Sequence, residues 1–138
     1  MTLGSMSAAK VIVIEDDRDI SRLIAYNLDK EGFSVEQVYD GLEASNRLKD
    51  EEFNIVILDI MLPGMDGFDI CKELKSSPSH AKTFVIIISA KTSAQNKLYA
   101  NILGADYYLT KPFNINALID IVKKLDDMGS RKFLVKGP

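Results

Sequence analysis

Residues 55–67 read IVILDIMLPGMDG, an apolar run that ends in Asp59 and passes into a short loop. Consecutive aliphatic residues, without polar residues alternating between them, are typical of a strand that is buried on both faces. A strand of that kind belongs to a parallel sheet with helices on both sides. The loop ends at Asp66, which can cap a helix whose apolar face contains Phe68, Cys71 and Leu74.

The same alternation of strand and helix candidates continues along the rest of the chain. Further strands are predicted at 11–14, 33–38, 84–88 and 107–110. A helix is predicted after each strand. The first contains Ile20, Leu23, Ile24 and Leu28 at helical spacing and has Gly32 as C-cap, and the second begins with a capping box of Asp40 and Glu43. A weak helix at 91–103 ends at Gly104, and the last helix, capped by Asn114, has an apolar stripe of Ile115, Leu118, Ile119, Val122 and Leu125. This order predicts an α/β fold with a doubly wound parallel five-stranded sheet.

The length and composition fit one globular domain. The chain has 138 residues, of which 46% are hydrophobic, and a net charge of −3. We place the domain at 9–128, with a tag remnant or disordered start at 1–8 and a C-terminal tail or linker remnant without clear structure at 129–138. The charge does not suggest a nucleic-acid-binding domain. Whether the chain is a stand-alone domain or one cut from a longer protein stays open.

Several features indicate a cytoplasmic protein. No apolar run approaches the roughly 20 residues that a membrane span needs, and Met1–Lys10 lacks the apolar core of a signal peptide. Cys71 is the only cysteine, which favours a small buried residue in a reducing compartment. His80, the only histidine, falls in a polar loop at 76–82. We expect it to be exposed and assign it no role.

The residues that could bind a ligand or take part in a reaction stand at the carboxyl ends of the predicted strands. Glu15 and Asp16 follow the first strand, Asp59 the third, Ser89 the fourth and Lys111 the fifth. Ligands of open parallel sheets bind at this edge. Converging carboxylates repel one another, and a hard cation such as Mg²⁺ would relieve that repulsion. Lys111 could hold an anionic oxygen, with phosphate as the natural candidate, although solvated acids and a plain Lys111–Asp59 salt bridge remain possible.

Four motifs together resemble the receiver domain of two-component response regulators. They are VIVIEDD at 11–17, LDIMLPGMDG at 58–67, ISAK at 88–91 and GADYYLTKPF at 104–113. The resemblance covers about 9–128, and it implies a flavodoxin-like sheet with strand order 2-1-3-4-5. It also implies that Asp59 is the phospho-acceptor. In such a site Asp16 ligates Mg²⁺ directly, Glu15 acts mainly through water, and the backbone carbonyl of Met61 is a further ligand.

The resemblance assigns further roles around this centre. Ser89 matches the hydroxyl that bonds a phosphoryl oxygen, and Lys111 matches the invariant lysine, which is followed by a cis peptide bond. Tyr108 matches an aromatic switch that repacks the surface of the fourth helix, fifth strand and fifth helix. Met61 and Lys91 match the positions that tune hydrolysis of the acyl phosphate. Neither side chain can act as a base, so a long-lived phosphorylated state is expected.

The implied protein is a signalling switch, and not an enzyme beyond its own phosphorylation and dephosphorylation. Its partners would be a sensor histidine kinase or phosphotransfer protein, and a downstream protein or output domain. The stretch 114–121 carries few of the charges through which some receiver domains dimerise, which favours a monomer or weak dimer. The net charge of −3 and the lack of a DNA-binding domain after residue 129 predict no direct nucleic-acid contact. Three alternatives remain. The first is an interaction module that is not phosphorylated. The second is a flavin-binding protein, which would need a Ser/Thr/Gly-rich loop where Glu15 stands, and the third is an aspartyl phosphatase, which would need an Asp where Met61 stands.

Overall fold

The computed structural model describes residues 9–136, which form one parallel sheet with helices on both faces. The strands are β1 (Lys10–Ile14), β2 (Ser34–Val38), β3 (Ile55–Asp59), β4 (Phe84–Ser89) and β5 (Tyr107–Thr110). Their order is β2-β1-β3-β4-β5, and every neighbouring pair is parallel. The predicted fold class and strand order are confirmed. The chain reverses its direction of winding between β1 and β3, which places a crevice at their carboxyl ends.

The helices divide between the two faces of the sheet. They are α1 (Arg18–Lys30), α2 (Gly41–Asp50), α3 (Gly67–Ser76), α4 (Ala94–Ile102) and α5 (Ile115–Lys136), with a 3₁₀ turn at Pro78–His80. α1 and α5 pack in one buried cluster with Val13, whereas α2, α3 and α4 pack in the other with Ile12. Neighbouring residues of β1 thus serve opposite faces, because side chains alternate along a strand.

Polar caps fix where the helices begin. Asp17 Oδ1 accepts from the amide of Asp19 at 2.9 Å, and Asp40 Oδ1 accepts from the amide of Glu43 at 2.7 Å. Asp66 caps α3 in the same way. These caps lie in the loops at the carboxyl edge of the sheet, so they also fix the path of the chain beside the crevice.

The apolar face of α1 differs from the prediction. Leu23 follows the helical spacing of the apolar residues, which predicts the inner face, but 47% of it is exposed. The buried residues of this helix are Ser21, Ile24 and Leu28. Ser21 takes the inner position because its hydroxyl accepts a hydrogen bond of 2.8 Å from Gln37 Nε2 on β2. The buried Ser21 hydroxyl therefore has a hydrogen-bond partner, and Leu23 faces solvent.

His80 was expected to be exposed, and this prediction is wrong. Only 2% of the residue is exposed, and its Nε2 lies 3.4 Å from the carbonyl oxygen of Glu51. The 3₁₀ turn that begins at Pro78 carries the His80 ring inward, so the polar composition of the loop does not predict that His80 is buried. Cys71 is buried as expected.

The last two helices also depart from their predicted bounds. α4 begins at Ala94 behind the cap Ser93, a few residues after the predicted start at 91. α5 continues to Lys136, so the expectation of no clear structure after 128 is wrong for 129–136. Gly129 costs a helix only about 1 kcal/mol relative to alanine, which does not stop it. The predicted tag at 1–8 lies outside the described residues. Within 9–136, no helix combines the length and apolarity needed to cross a membrane.

Candidate functional site

Glu15, Asp16 and Asp59 meet at the carboxyl edge of the sheet. The first two follow β1 and the third ends β3, its hydrogen-bonded neighbour. One carboxylate oxygen from each residue lies within 4.8 Å of the others. Glu15 and Asp59 are buried, whereas Asp16 is exposed. The cluster is therefore a partly enclosed acidic centre that solvent reaches on the side of Asp16.

Lys111 supplies the positive charge of this centre. Its Nζ donates to Asp59 Oδ2 at 2.8 Å and lies 2.6 Å from Glu15 Oε1. Burial alone would lower the pKa of Lys111, but the contacts with Asp59 and Glu15 outweigh burial and the pKa is raised. Its backbone amide donates to the Ser89 carbonyl at 2.8 Å, and the bond to the following proline is cis, as the sequence implied. The ammonium group is thus fixed and charged.

Glu15 is a buried carboxylate whose pKa reports its surroundings. Burial raises its pKa to about 7, against the lowering effects of Lys111 and of the Asp17 amide, while the charge of Asp59 raises it further. The Asp17 amide donates to Oε2 at 3.0 Å, and the Lys111 ammonium lies 2.6 Å from the buried Oε1. Three carboxylates with all-oxygen donors fit a hard divalent cation such as Mg²⁺.

The loop after β3 holds the Asp59 carboxylate in place. The Met61 amide donates to Asp59 Oδ1 at 3.1 Å, so each carboxylate oxygen has its own donor. At the end of the loop the Gly67 amide donates to the Ile60 carbonyl at 2.9 Å. A Cβ at Gly67 would lie 2.2 Å from the Asp59 carbonyl, so only glycine allows α3 to start this close to the strand. The sequence pattern contained Gly67, but the spatial requirement was not predicted.

Ser89 and Tyr108 meet at the backbone of one residue, Lys91. The Ser89 hydroxyl, fully buried, accepts from the Lys91 amide at 3.1 Å. The Tyr108 hydroxyl donates to the Lys91 carbonyl at 2.7 Å. Burial raises the pKa of Tyr108. The side chains of Lys91 and Met61 are exposed at the mouth of the site. Ser89 and Tyr108 were both predicted to belong to the switch, but the sequence did not predict that they contact the backbone of the same residue, Lys91.

Comparison with known proteins agrees with this geometry. The family model for the response regulator receiver domain matches residues 11–123. The receiver domain of the Francisella response regulator 1452 is 34% identical, with a TM-score of 0.81, and the match covers 87% of this chain and 98% of that chain. The BeF3-activated DrrB receiver domain is 31% identical, with a TM-score of 0.78 over 86% of this chain and 97% of that one.

A chemotaxis protein shares the same architecture. CheY4 of Vibrio cholerae, a chemotaxis response regulator, is 28% identical with a TM-score of 0.80, and the match covers 86% of this chain and 98% of that chain. The family model spans most of the sequence, and the acidic cluster at the strand ends fits the Mg²⁺ site of such domains. The chain belongs to the response regulator receiver domains, which act in phosphorylation-dependent signalling.

Proposed function

We propose that this domain is a signalling switch in which Asp59 accepts a phosphoryl group from a sensor histidine kinase or a phosphotransfer protein. The observation that carries the proposal is the setting of Asp59. Its two oxygens accept from the Met61 amide at 3.1 Å and from the Lys111 ammonium at 2.8 Å, and it ends β3 within an acidic cluster. A carboxylate held in one orientation beside a fixed cation is suited to attack at phosphorus.

The chain offers ligands for Mg²⁺ around this carboxylate. Asp16 and Asp59 would ligate the ion directly with the Met61 carbonyl, and Glu15 would act mainly through water. Bound there, Mg²⁺ would neutralise charge on the oxygens of the transferring phosphoryl group. The acidic cluster supports this assignment, because one oxygen from each of Glu15, Asp16 and Asp59 lies within 4.8 Å of the others and carboxylate oxygens are the ligands that Mg²⁺ prefers.

The transfer step needs few groups from the protein. A carboxylate oxygen of Asp59 forms a bond to phosphorus as the bond from phosphorus to the imidazole nitrogen of the donor breaks, and that nitrogen keeps the electron pair. Lys111 already stands 2.8 Å from Asp59 Oδ2, so a small movement brings its ammonium to the phosphoryl oxygens. A preorganised cation stabilises the developing charge without costly rearrangement.

Phosphorylation would then change the loop between β4 and α4. The Ser89 hydroxyl accepts from the Lys91 amide at 3.1 Å and can donate its own proton to a phosphoryl oxygen, so its movement towards that oxygen would draw the loop along. The Tyr108 hydroxyl donates to the Lys91 carbonyl, so Tyr108 would move with the loop. We expect this movement to alter the surface of α4, β5 and α5.

α4 is suited to such a change because it is weakly anchored. Ala100 is its only buried residue, whereas Leu98 and Ile102 are 62% and 69% exposed. A helix with so little buried surface shifts at low free-energy cost. Its exposed apolar side chains would then contact the downstream protein or output domain. We place this signalling in the cytoplasm of a bacterium, with a domain that is monomeric or weakly dimeric and binds neither nucleic acid nor membranes.

Acetyl phosphate with and without Mg²⁺ tests the assignment. The wild-type protein should gain one phosphoryl group, measured by intact mass, only when Mg²⁺ is present. Asp59→Asn should gain none, whereas Asp66→Asn should gain one. Asp66 is a matched control because it is exposed and caps α3 in the same loop. If the wild type gains no phosphoryl group, the domain is an interaction module without phosphorylation, and the proposal is wrong.

A further inference from the structure

The loop that follows Asp59 (residues 60–66) lies directly against the first residue of α2. The amide of Gly41 donates to the Pro63 carbonyl at 2.8 Å. A Cβ built on Gly41 would lie 2.1 Å from the carbonyl oxygen of Met65 and 2.7 Å from its Cβ. Gly41 does not have a positive φ angle, so its backbone conformation would accept any residue. It is the space occupied by the loop that requires glycine here.

The same loop approaches α2 at a second point and is closed at its end. Gly64 has a φ of +86°, and a Cβ there would lie 3.3 Å from the Leu42 amide nitrogen. Gly67 closes the loop through its hydrogen bond of 2.9 Å to the Ile60 carbonyl. Met61 stands between these attachments, with its amide on Asp59 Oδ1. The path of the backbone through Met61 therefore depends on how closely the loop can approach α2.

We infer that Gly41 is a positioning residue for the Mg²⁺ and phosphoryl site, acting through the loop that carries the Met61 carbonyl. The inference rests on the proposed function, in which that carbonyl is a metal ligand. A methyl group at position 41 would meet backbone atoms of Met65, which cannot rotate away as a side chain can. The contact must lengthen from 2.1 Å to at least 3.0 Å, so the loop must shift.

Mg²⁺ is sensitive to such a shift. It requires nearly ideal octahedral geometry with short bonds to oxygen, and it tolerates displaced ligands poorly. Changes to groups that only orient metal ligands typically weaken affinity by about 10–100-fold. Gly41 itself contacts neither the acidic cluster nor Lys111 in the hydrogen bonds and ion pairs of the described residues. Its effect would therefore pass through the loop and not through charge.

The test compares Mg²⁺ binding with stability in the same proteins. Gly41→Ala should weaken Mg²⁺ affinity, measured by calorimetry, by about tenfold. It should also shift the Met61 amide resonance before Mg²⁺ is added. Ala44→Gly is the matched control, because Ala44 is fully buried in the same helix and its amide donates to the Asp40 carbonyl and not to the loop. Glycine should lower the urea midpoint of unfolding, because it is a poorer helix former than alanine, and leave Mg²⁺ affinity unchanged.

Asp16→Ala separates failure of this inference from failure of the proposed function. If Asp16→Ala loses Mg²⁺ binding and Gly41→Ala keeps wild-type affinity, Gly41 does not position the site. Equal weakening by Ala44→Gly and Gly41→Ala would also overturn the inference, because the cause would then be general destabilisation. Wild-type affinity in Asp16→Ala would overturn the proposed metal site itself, and the inference with it. If Gly41→Ala does not fold, Gly64→Ala is the replacement variant. A Cβ at Gly64 would lie 3.3 Å from its nearest neighbour, against 2.1 Å at Gly41, so the clash with α2 is milder. Wild-type affinity in Gly64→Ala would then overturn the inference.

Discussion

Replacing Lys111 with Met should destabilise the Mg²⁺-free protein far more than the same replacement at Lys123. Both lysines place Nζ 2.6 Å from a glutamate oxygen, Glu15 for one and Glu31 for the other. The pairs differ in burial: side-chain exposures are 18% and 0% for Lys111 and Glu15, but 52% and 34% for Lys123 and Glu31. Lys111 also neutralises Asp59, which is almost fully buried.

The expected magnitude follows from this burial. Removing one partner of a buried ion pair leaves an uncompensated charge and costs about 3–5 kcal/mol of unfolding free energy. We expect about 3 kcal/mol for Lys111→Met, at the low end of that range, because Lys111 keeps some contact with solvent and Glu15 can take up a proton. For Lys123→Met we expect little change, because exposed ion pairs are screened by water.

Urea unfolding in the presence of a chelator measures both losses. A pH of 8 lies above the pKa of about 7 to which burial raises Glu15, so the wild-type carboxylate is charged. Lys111→Met removes a group that lowers this pKa, so proton uptake by Glu15 offsets part of the loss in the variant. Mg²⁺ at 100 times its dissociation constant should then restore about 2.7 kcal/mol to Lys111→Met. Equal losses in Lys111→Met and Lys123→Met would show that Lys111 does not neutralise the buried carboxylates, and that reasoning would fail.

Three further expectations concern the metal, the switch and the lifetime of the signal. Asp16→Ala should weaken Mg²⁺ binding strongly and Glu15→Ala less, since only the former removes a direct ligand; equal calorimetric affinities of Asp16→Ala and wild type would contradict this. Lys111→Ala should leave only small amide shifts in α4 and β5 on beryllofluoride addition, because no cation then draws the loop in, and shifts as large as in the wild type would refute that role. Met61→Asn combined with Lys91→Glu should speed loss of the phosphoryl group about tenfold, a barrier change of about 1.4 kcal/mol, because amide and carboxylate groups can orient a water. Identical decay on phosphate-affinity gels would exclude control by these side chains.

The strands and the site could be predicted because both depend on short stretches of sequence. Each central strand is a continuous apolar run that stops at a polar residue, as at Asp59 and Ser89. Parallel strands end at one edge of the sheet, so residues distant in sequence, such as Glu15 and Lys111, were expected to meet, and they lie 2.6 Å apart. The motifs added the order of the strands, which an alternation of helices and strands does not determine.

The features that could not be predicted depend on contacts between distant segments. His80 is buried because a 3₁₀ turn carries it towards α2, while its neighbours in sequence are polar. Leu23 is exposed, whereas the polar Ser21 is buried with a hydrogen-bond partner on β2. Gly41 looks like an ordinary helix start, and only the approach of Met65 shows why a side chain has no room there. The lengths and apolar patterns of single elements contain no information about these contacts.

The location of the phosphoryl group tests the central claim most directly. The protein is incubated with acetyl phosphate and Mg²⁺ and then reduced with borohydride, which converts an aspartyl phosphate to homoserine, and the peptides are sequenced by tandem mass spectrometry. We expect homoserine at position 59 alone, and none when Mg²⁺ is chelated. Homoserine at Asp16 or at another acidic residue, with an unmodified Asp59, would contradict the assignment of Asp59 as the phospho-acceptor.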